Sequence, residues 1–145
     1  MTALRIKILS RSGAALPEYA TASAAGMDLR SDEDCEIAPG DVRAVKTGLF
    51  IELPDGFEAQ IRSRSGLALK HRVAVLNAPG TIDADYRGEL QVILVNHGSG
   101  PFRICRGDRI AQMVVAPVTR VVWEPAAELC PSARGEGGLG STGIK

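Results

Sequence analysis

The apolar residues of this chain occur in short runs, interrupted along the whole length by sixteen glycines and eight prolines. No segment of helical length shows apolar residues at clean 3.6-residue spacing, and each run has the length and the turn residues of a strand. Many short strands with frequent turns predict an all-β sandwich, jelly roll or barrel-like domain. The predicted strands are Leu4–Leu9, Cys35–Pro39, Arg43–Leu53, Phe57–Ser63, Arg72–Asn77, Glu89–Asn96, Phe102–Cys105, Arg109–Val118 and Arg120–Trp123.

One short helix is predicted over Ser65–His71, with Leu67 and Ala68 facing inward. A length of 145 residues favours one domain, and neither a boundary nor a repeat is visible. The composition changes at Pro131, because five of the residues 135–143 are glycine and the β-branched runs end. We therefore predict a β domain over 1–130 and a flexible glycine-rich arm over 131–145, both within the same single domain.

The charges limit the class of partner. Seventeen basic and seventeen acidic residues give a net charge of zero, which disfavours a general nucleic-acid or membrane-surface protein. Thirteen of the cations are arginines, whose planar fork suits a small phosphate ligand. Three widely spaced cysteines, the absence of a CxxC and a charged N-terminal stretch predict a soluble protein of the reducing cytoplasm.

The segment GTIDADYRGEL, residues 80–90, places two acids and a phenol between two apolar runs. Asp83 and Asp85 could be turn residues that bind local backbone N–H groups, and Tyr86 could be an ordinary core tyrosine. A carboxylate can also orient a water molecule and take its proton. The residues of this segment by themselves leave these alternatives open.

Five segments in order are AAGMDLRS (24–31), RSRSGLA (62–68), NAPGTIDADYRGE (77–89), RGDRIAQMVV (106–115) and RGEGGLGSTG (134–143). This set resembles the five motifs of the trimeric dUTP diphosphatases, or dUTPases. The resemblance implies a distorted jelly-roll or β-barrel-like (β-clip) subunit and a homotrimer whose active sites each use motifs from all three subunits. It also implies Mg²⁺-assisted hydrolysis of dUTP to dUMP and pyrophosphate, which supplies dUMP for dTTP synthesis and keeps uracil out of DNA.

The third motif is implied to hold the nucleoside. By resemblance, Asp83 activates the water that attacks the α-phosphate, whereas Asp85 supports the turn. Tyr86 packs under the deoxyribose and leaves no room for a 2′-hydroxyl. Backbone groups near Gly80 and Ile82 match the hydrogen-bonding pattern of uracil and leave groups unpaired with cytosine. The side chain of Asn77 adds to this pattern.

Three other motifs are implied to bind the triphosphate. The guanidinium of Arg64, the hydroxyl of Ser65 and the amides of Ser65 and Gly66 form a phosphate cradle where a helix begins. Gln112, a polar residue in an apolar run, binds a phosphate oxygen. Asp28 contacts Mg²⁺ through a water, which suits an ion that keeps several of its waters. Arg109 is expected to pair with a site carboxylate or to lie near phosphate.

The arm is implied to close over the substrate. Its substrate-binding residues by resemblance are Arg134, Gly137, Gly138, Leu139, Ser141 and Thr142. The family usually has phenylalanine where this chain has Leu139, and that ring stacks on uracil. Leucine keeps part of the apolar contact, so we expect a working lid that closes more weakly.

Two alternatives stand beside the diphosphatase. One is a dCTP deaminase or a bifunctional relative, although no acid and serine arrangement for deamination is visible. The other is a non-catalytic dUTP-binding regulator, which only Leu139 favours. For the trimer, the segment VVWEPAAEL around Trp123 is a plausible interface strand.

Overall fold

The computed structural model describes residues 3–143, so the ends of the two predicted segments, residues 1–2 and 144–145, lie outside it. The described residues form twelve strands and one helix. The first six strands are β1 (Lys7–Ser10), β2 (Glu18–Tyr19), β3 (Met27–Arg30), β4 (Cys35–Ile37), β5 (Val42–Lys46) and β6 (Leu49–Glu52). The rest are β7 (Phe57–Arg62), α1 (Ser65–His71), β8 (Val73–Val75), β9 (Gly80–Ile82), β10 (Gln91–Asn96), β11 (Phe102–Ile104) and β12 (Arg109–Pro117).

The strands pair antiparallel in four groups, which confirms the all-β, jelly-roll-like prediction. A five-stranded sheet has the order β2-β3-β12-β7-β9, and a three-stranded sheet has the order β5-β10-β8. β1 pairs with β6, and β4 pairs with β11. One hydrophobic cluster joins these groups, with side chains such as Leu29, Val92 and Ile110 almost completely buried. No helix among the described residues is long and apolar enough to cross a membrane.

Alternation along the strands of the five-stranded sheet separates two rows of side chains. Residues paired across antiparallel strands share a face, and the next residue along each strand points to the opposite face. The first row contains Met27, Met113, Ile61 and Gly80 and points toward the core. The second row contains Asp28, Gln112 and Arg62 and points away from the core.

Two local predictions were wrong. The predicted strand Arg120–Trp123 is absent, since β12 ends at Pro117 and the segment that follows lies exposed with no strand beside it to pair with. Ala68 is exposed, although Leu67 packs against the core. The strands on either side of residues 76–90, β8 and β10, pair antiparallel, whereas the intervening β9 pairs with β7 in the five-stranded sheet.

Candidate active site

A cavity of about 350 Å³ opens between the five-stranded and three-stranded sheets. This volume is within the range of small-ligand pockets, roughly 300–1,000 Å³. Five of the predicted nucleoside-binding and catalytic residues line it, namely Asn77, Gly80, Ile82, Asp83 and Tyr86. The opposite wall comes from β5 and β10, through Ala44, Gln91 and Ile93. The third motif therefore forms one wall of a real cavity.

The wall at Gly80 depends on the absence of a side chain. A Cβ atom there would lie 3.2 Å from Nδ2 of Asn77 and 3.3 Å from Cβ of Ile61. Glycine thus lets the Asn77 amide lie directly over the backbone of β9. The amide and the backbone polar groups then occupy the same part of the cavity.

Asp83 follows β9 at the mouth of the cavity. Its backbone oxygen accepts a hydrogen bond of 3.1 Å from the amide of Tyr86, which closes the turn. Within residues 3–143, the Asp83 carboxylate forms neither a hydrogen bond nor an ion pair. Asp85 is exposed in the same turn but does not line the cavity. Of the two aspartates in this turn, Asp83 is thus the one that lines the cavity.

Tyr86 stands over the cavity as a partly exposed ring. Its hydroxyl donates a hydrogen bond of 3.0 Å to the backbone oxygen of Glu89. The ring is therefore held at both ends of its side chain, by the turn and by this bond. The Tyr86 side chain is part of the cavity lining.

A second group of predicted residues surrounds Asp28 on β3. Nη1 of Arg109 donates a hydrogen bond of 3.2 Å to Oδ2 of Asp28. Nε of Arg64 lies 3.3 Å from Oδ1 of Asp28, but both atoms are buried and form no hydrogen bond with a described residue. The contact between Arg64 and Asp28 is therefore an ion pair without a hydrogen bond between these two atoms. The expected pairing of Arg109 with a site carboxylate is present.

Gln112 lies directly opposite Asp28 in the sheet. A Cβ atom on Gly26 would lie 3.4 Å from Cβ of Gln112, so the chain passes close beneath that side chain. Gln112 is half-buried and forms no side-chain hydrogen bond within the described range. Its amide is available to a ligand beside Asp28.

The N-terminus of α1 adjoins this cluster. Arg64 occupies the position before the helix and makes no side-chain cap, and the first turn contains no acidic residue. Ser65 and Gly66 are exposed there. Uncapped N–H groups at a helix start are the groups that bind anions. The second motif thus presents donors and a cation beside Asp28.

The arm lies apart from both groups. Nε of Arg134 donates a hydrogen bond of 2.6 Å to the backbone oxygen of Gly137, and Ser141 N bonds to Gly138 O. Leu139 and Thr142 are exposed. The hydrogen bonds of residues 131–143 connect only residues of that same segment, within the described part of the chain. The single chain does not bring the arm to the cavity.

The cavity and the Asp28 cluster lie on opposite faces of one sheet. Ile61 and Gly80 line the cavity from the core-facing row, whereas Asp28 and Gln112 belong to the outward row. A nucleotide held in the cavity of one chain cannot reach the Asp28 cluster of that chain through the sheet. The predicted site residues therefore form two half-sites.

The side chains around Asp28 determine whether a metal ion could be bound there directly or through a water molecule. No group of three or more His, Cys, Asp or Glu side chains with metal-binding geometry occurs among residues 3–143. One carboxylate oxygen of Asp28 is buried without a hydrogen-bond partner. A single acid whose two oxygens lie beside Arg64 and Arg109 suits a water-mediated contact with Mg²⁺ and does not suit direct chelation.

Sequence reasoning missed the residues that hold Tyr86. Gly88 lies under its ring, and the side chain of Glu89 accepts a hydrogen bond from the amide of Gly48. Gly88 and Glu89 lie two and three positions after Tyr86, and this closeness in sequence is the signal that could have indicated a role in holding the ring. Gly48 and Glu89 are forty-one positions apart in the sequence, so no local sequence pattern indicates their contact.

Comparison with known proteins identifies the family. The dUTPase family profile matches residues 12–143. The deoxyuridine 5′-triphosphate nucleotidohydrolase of Maricaulis maris (strain MCS10) is 55% identical over 147 residues, covering 98% of this chain and 97% of the relative. That of Anaplasma marginale (strain St. Maries) is 57% identical, covering 97% and 99%. A variant of the Staphylococcus bacteriophage 80alpha dUTPase, solved with dUpNHpp, superposes with a TM-score of 0.89 at 27% identity over 97% of this chain and 99% of the phage chain. This chain therefore belongs to the dUTPase family of enzymes.

Proposed function

We propose that this protein hydrolyses dUTP to dUMP and pyrophosphate by attack of an Asp83-activated water on the α-phosphate. The observation that carries the proposal is the carboxylate of Asp83, which lines a nucleoside-sized cavity with no partner among the described residues. A free carboxylate can orient a water and accept its proton as the oxygen attacks phosphorus. Family membership and the bound analogue of the phage enzyme support the substrate.

The cavity would select uracil and deoxyribose. Backbone groups of Gly80 and Ile82, together with the Asn77 amide, present donors and acceptors within one small space. Cytosine would leave some of these groups unpaired, which is a strong basis for rejection. Close packing excludes the methyl group of thymine. Tyr86 lies flat against the sugar and excludes a 2′-hydroxyl.

The Asp28 cluster would bind the phosphates. Arg64, with the hydroxyl of Ser65 and the amides of Ser65 and Gly66, holds the charged oxygens, and Gln112 donates to another. Mg²⁺, when bound, neutralises the triphosphate and stabilises the charge that develops in the transition state. Asp28 would hold this ion through a water. Release of Asp28 from Arg64 would free that guanidinium for phosphate.

The active enzyme is a homotrimer in this proposal. The two half-sites lie on opposite faces of one sheet, so a complete site needs the cavity of one subunit and the Asp28 cluster of another. The arm, which is exposed over most of residues 131–143, would reach a third position. There Arg134, Ser141 and Thr142 would contact the phosphates, with the amides of Gly137 and Gly138. Leu139 would cover the base.

One assay tests the proposal. Pyrophosphate release is measured from dUTP, dTTP, dCTP and UTP, with and without Mg²⁺. We expect rapid pyrophosphate release from dUTP and not from the other three nucleotides. We also expect the rate of this release to depend strongly on Mg²⁺. Ammonia from dCTP would indicate the deaminase, and tight dUTP binding without pyrophosphate would indicate the regulator. In the cell, we place the activity in the cytoplasm, where it supplies dUMP and removes dUTP before it enters DNA.

A further inference from the structure

The ring of Tyr86 rests on the backbone of Gly88. A Cβ atom at Gly88 would lie 2.8 Å from Cε2 of the ring and closer still to the hydroxyl end. No real side chain tolerates such contacts, so any residue other than glycine moves the ring. The angle of Tyr86 over the cavity is therefore set by the missing side chain at Gly88.

The backbone that holds the Tyr86 hydroxyl is itself fixed from a distance. The side chain of Glu89 accepts a hydrogen bond of 2.9 Å from the amide of Gly48. At the next residue, Leu90 O accepts a bond of 2.6 Å from the hydroxyl of Thr47, and Leu90 N donates one of 2.8 Å to Leu49 O. Three hydrogen bonds thus join residues 89–90 to the turn 47–49 between β5 and β6.

That turn cannot shift easily. Thr47 is 1% exposed, and Leu49 N donates to its hydroxyl oxygen at 3.3 Å. Gly48 has φ of +68°, and a Cβ atom there would lie 2.9 Å from Cβ of Ala14. A buried hydroxyl and a tightly packed glycine make the turn a rigid support.

We propose that Gly88, Glu89 and the turn Thr47–Gly48 are positioning residues that set the Tyr86 ring and thereby the discrimination between deoxyribose and ribose. The inference rests on the proposed function. It adds a structural support for the contact between Tyr86 and the sugar, and this support begins at Thr47, some forty residues before Tyr86. A displaced ring opens space for a 2′-hydroxyl. Selectivity for dUTP over UTP should then fall while the cavity still binds uracil.

The test compares kcat/KM for dUTP and UTP in matched variants. Gly88→Ala displaces the ring, and Gly100→Ala is its control, since a Cβ atom at Gly100 meets nothing within 4 Å. Thr47→Val removes the hydroxyl, whereas Thr47→Ser keeps it and is the control. We expect Gly88→Ala and Thr47→Val each to lower the dUTP-to-UTP ratio by at least about fivefold, the equivalent of one hydrogen bond. The two controls should keep the wild-type ratio.

The ratio separates positioning from folding. A variant that only unfolds part of the protein loses activity on both substrates equally, so its ratio stays constant. Wild-type ratios in Gly88→Ala and Thr47→Val would overturn the inference and leave the proposed function intact. A wild-type protein that does not hydrolyse dUTP would overturn both. If a variant is inactive, calorimetry with dUMP and UMP gives the same comparison, and unchanged relative affinities would again reject the inference.

Discussion

At the residue scale, one carboxylate carries the proposed chemistry. Replacing Asp83 with Asn keeps the shape of the side chain and removes its capacity to take a proton. We expect Asp83→Asn to bind dUpNHpp as tightly as wild type while hydrolysis falls on the order of a hundredfold to ten-thousandfold. Binding is measured by calorimetry and turnover by pyrophosphate release. Asp85→Asn is the control, since Asp85 lies outside the cavity lining, and wild-type turnover in Asp83→Asn would contradict the role.

Leu139 is the residue that departs from the family pattern. A base stacked on an aromatic ring gains about 1–3 kcal/mol relative to alanine, and leucine keeps part of that contact. We expect Leu139→Phe to tighten dUTP binding or raise turnover by a few-fold. Leu129→Phe, also at an exposed site but before the arm, should change neither. Equal dUTP affinity and equal turnover in Leu139→Phe and wild type would mean that leucine already closes the site.

The three cysteines differ in exposure, since Cys35 is partly buried and the other two are exposed. Burial raises the pKa of the Cys35 thiol, and the charge of Arg43 only partly offsets this. A pKa that is higher in the folded protein than in the unfolded chain contributes stability at pH values below the unfolded-state pKa. This contribution is lost as the pH rises through the folded-state pKa. We expect iodoacetamide at mildly alkaline pH to label the exposed Cys105 and Cys130 first. Mass spectrometry follows the order, and equally fast labelling of Cys35 in native protein would be the opposite result.

At the scale of elements, the arm contributes little to the fold of the single chain. Residues 131–143 form hydrogen bonds only among themselves within the described residues. We expect truncation after Cys130 to leave Tm within about one degree of wild type and to lower kcat/KM for dUTP by at least roughly tenfold, because charge-assisted phosphate contacts are lost. Calorimetric melting and pyrophosphate release measure the two effects. A large fall in Tm would show that the arm supports the barrel.

At the scale of the whole molecule, the two half-sites predict complementation between subunits. Asp83→Asn damages the cavity side, and Asp28→Asn damages the phosphate side. If each site combines the two halves from different chains, random mixing should restore about a quarter of the sites. The variants are co-refolded and assayed, with Asp83→Asn mixed with Asp83→Ala as the control. No recovery, or light scattering that gives the mass of a single chain for the active protein, would contradict a shared site.

The sequence by itself determined the fold class, the helix Ser65–His71, the family motifs and the free cysteines, because strand length, turn residues and motif spacing are local properties. It also indicated which residues to expect at the site. Only the tertiary structure decided that β9 pairs with β7, that residues 118–143 form no strand, and that Gly88 lies against the Tyr86 ring while Thr47 bonds to the backbone of Leu90. These features depend on which segments meet in the folded chain, and contacts between segments that are distant in sequence leave no periodic signal in the sequence. The separation of Asp28 from Gly80 onto opposite faces has the same origin, since the registers of the three strand pairs β3–β12, β12–β7 and β7–β9 set it.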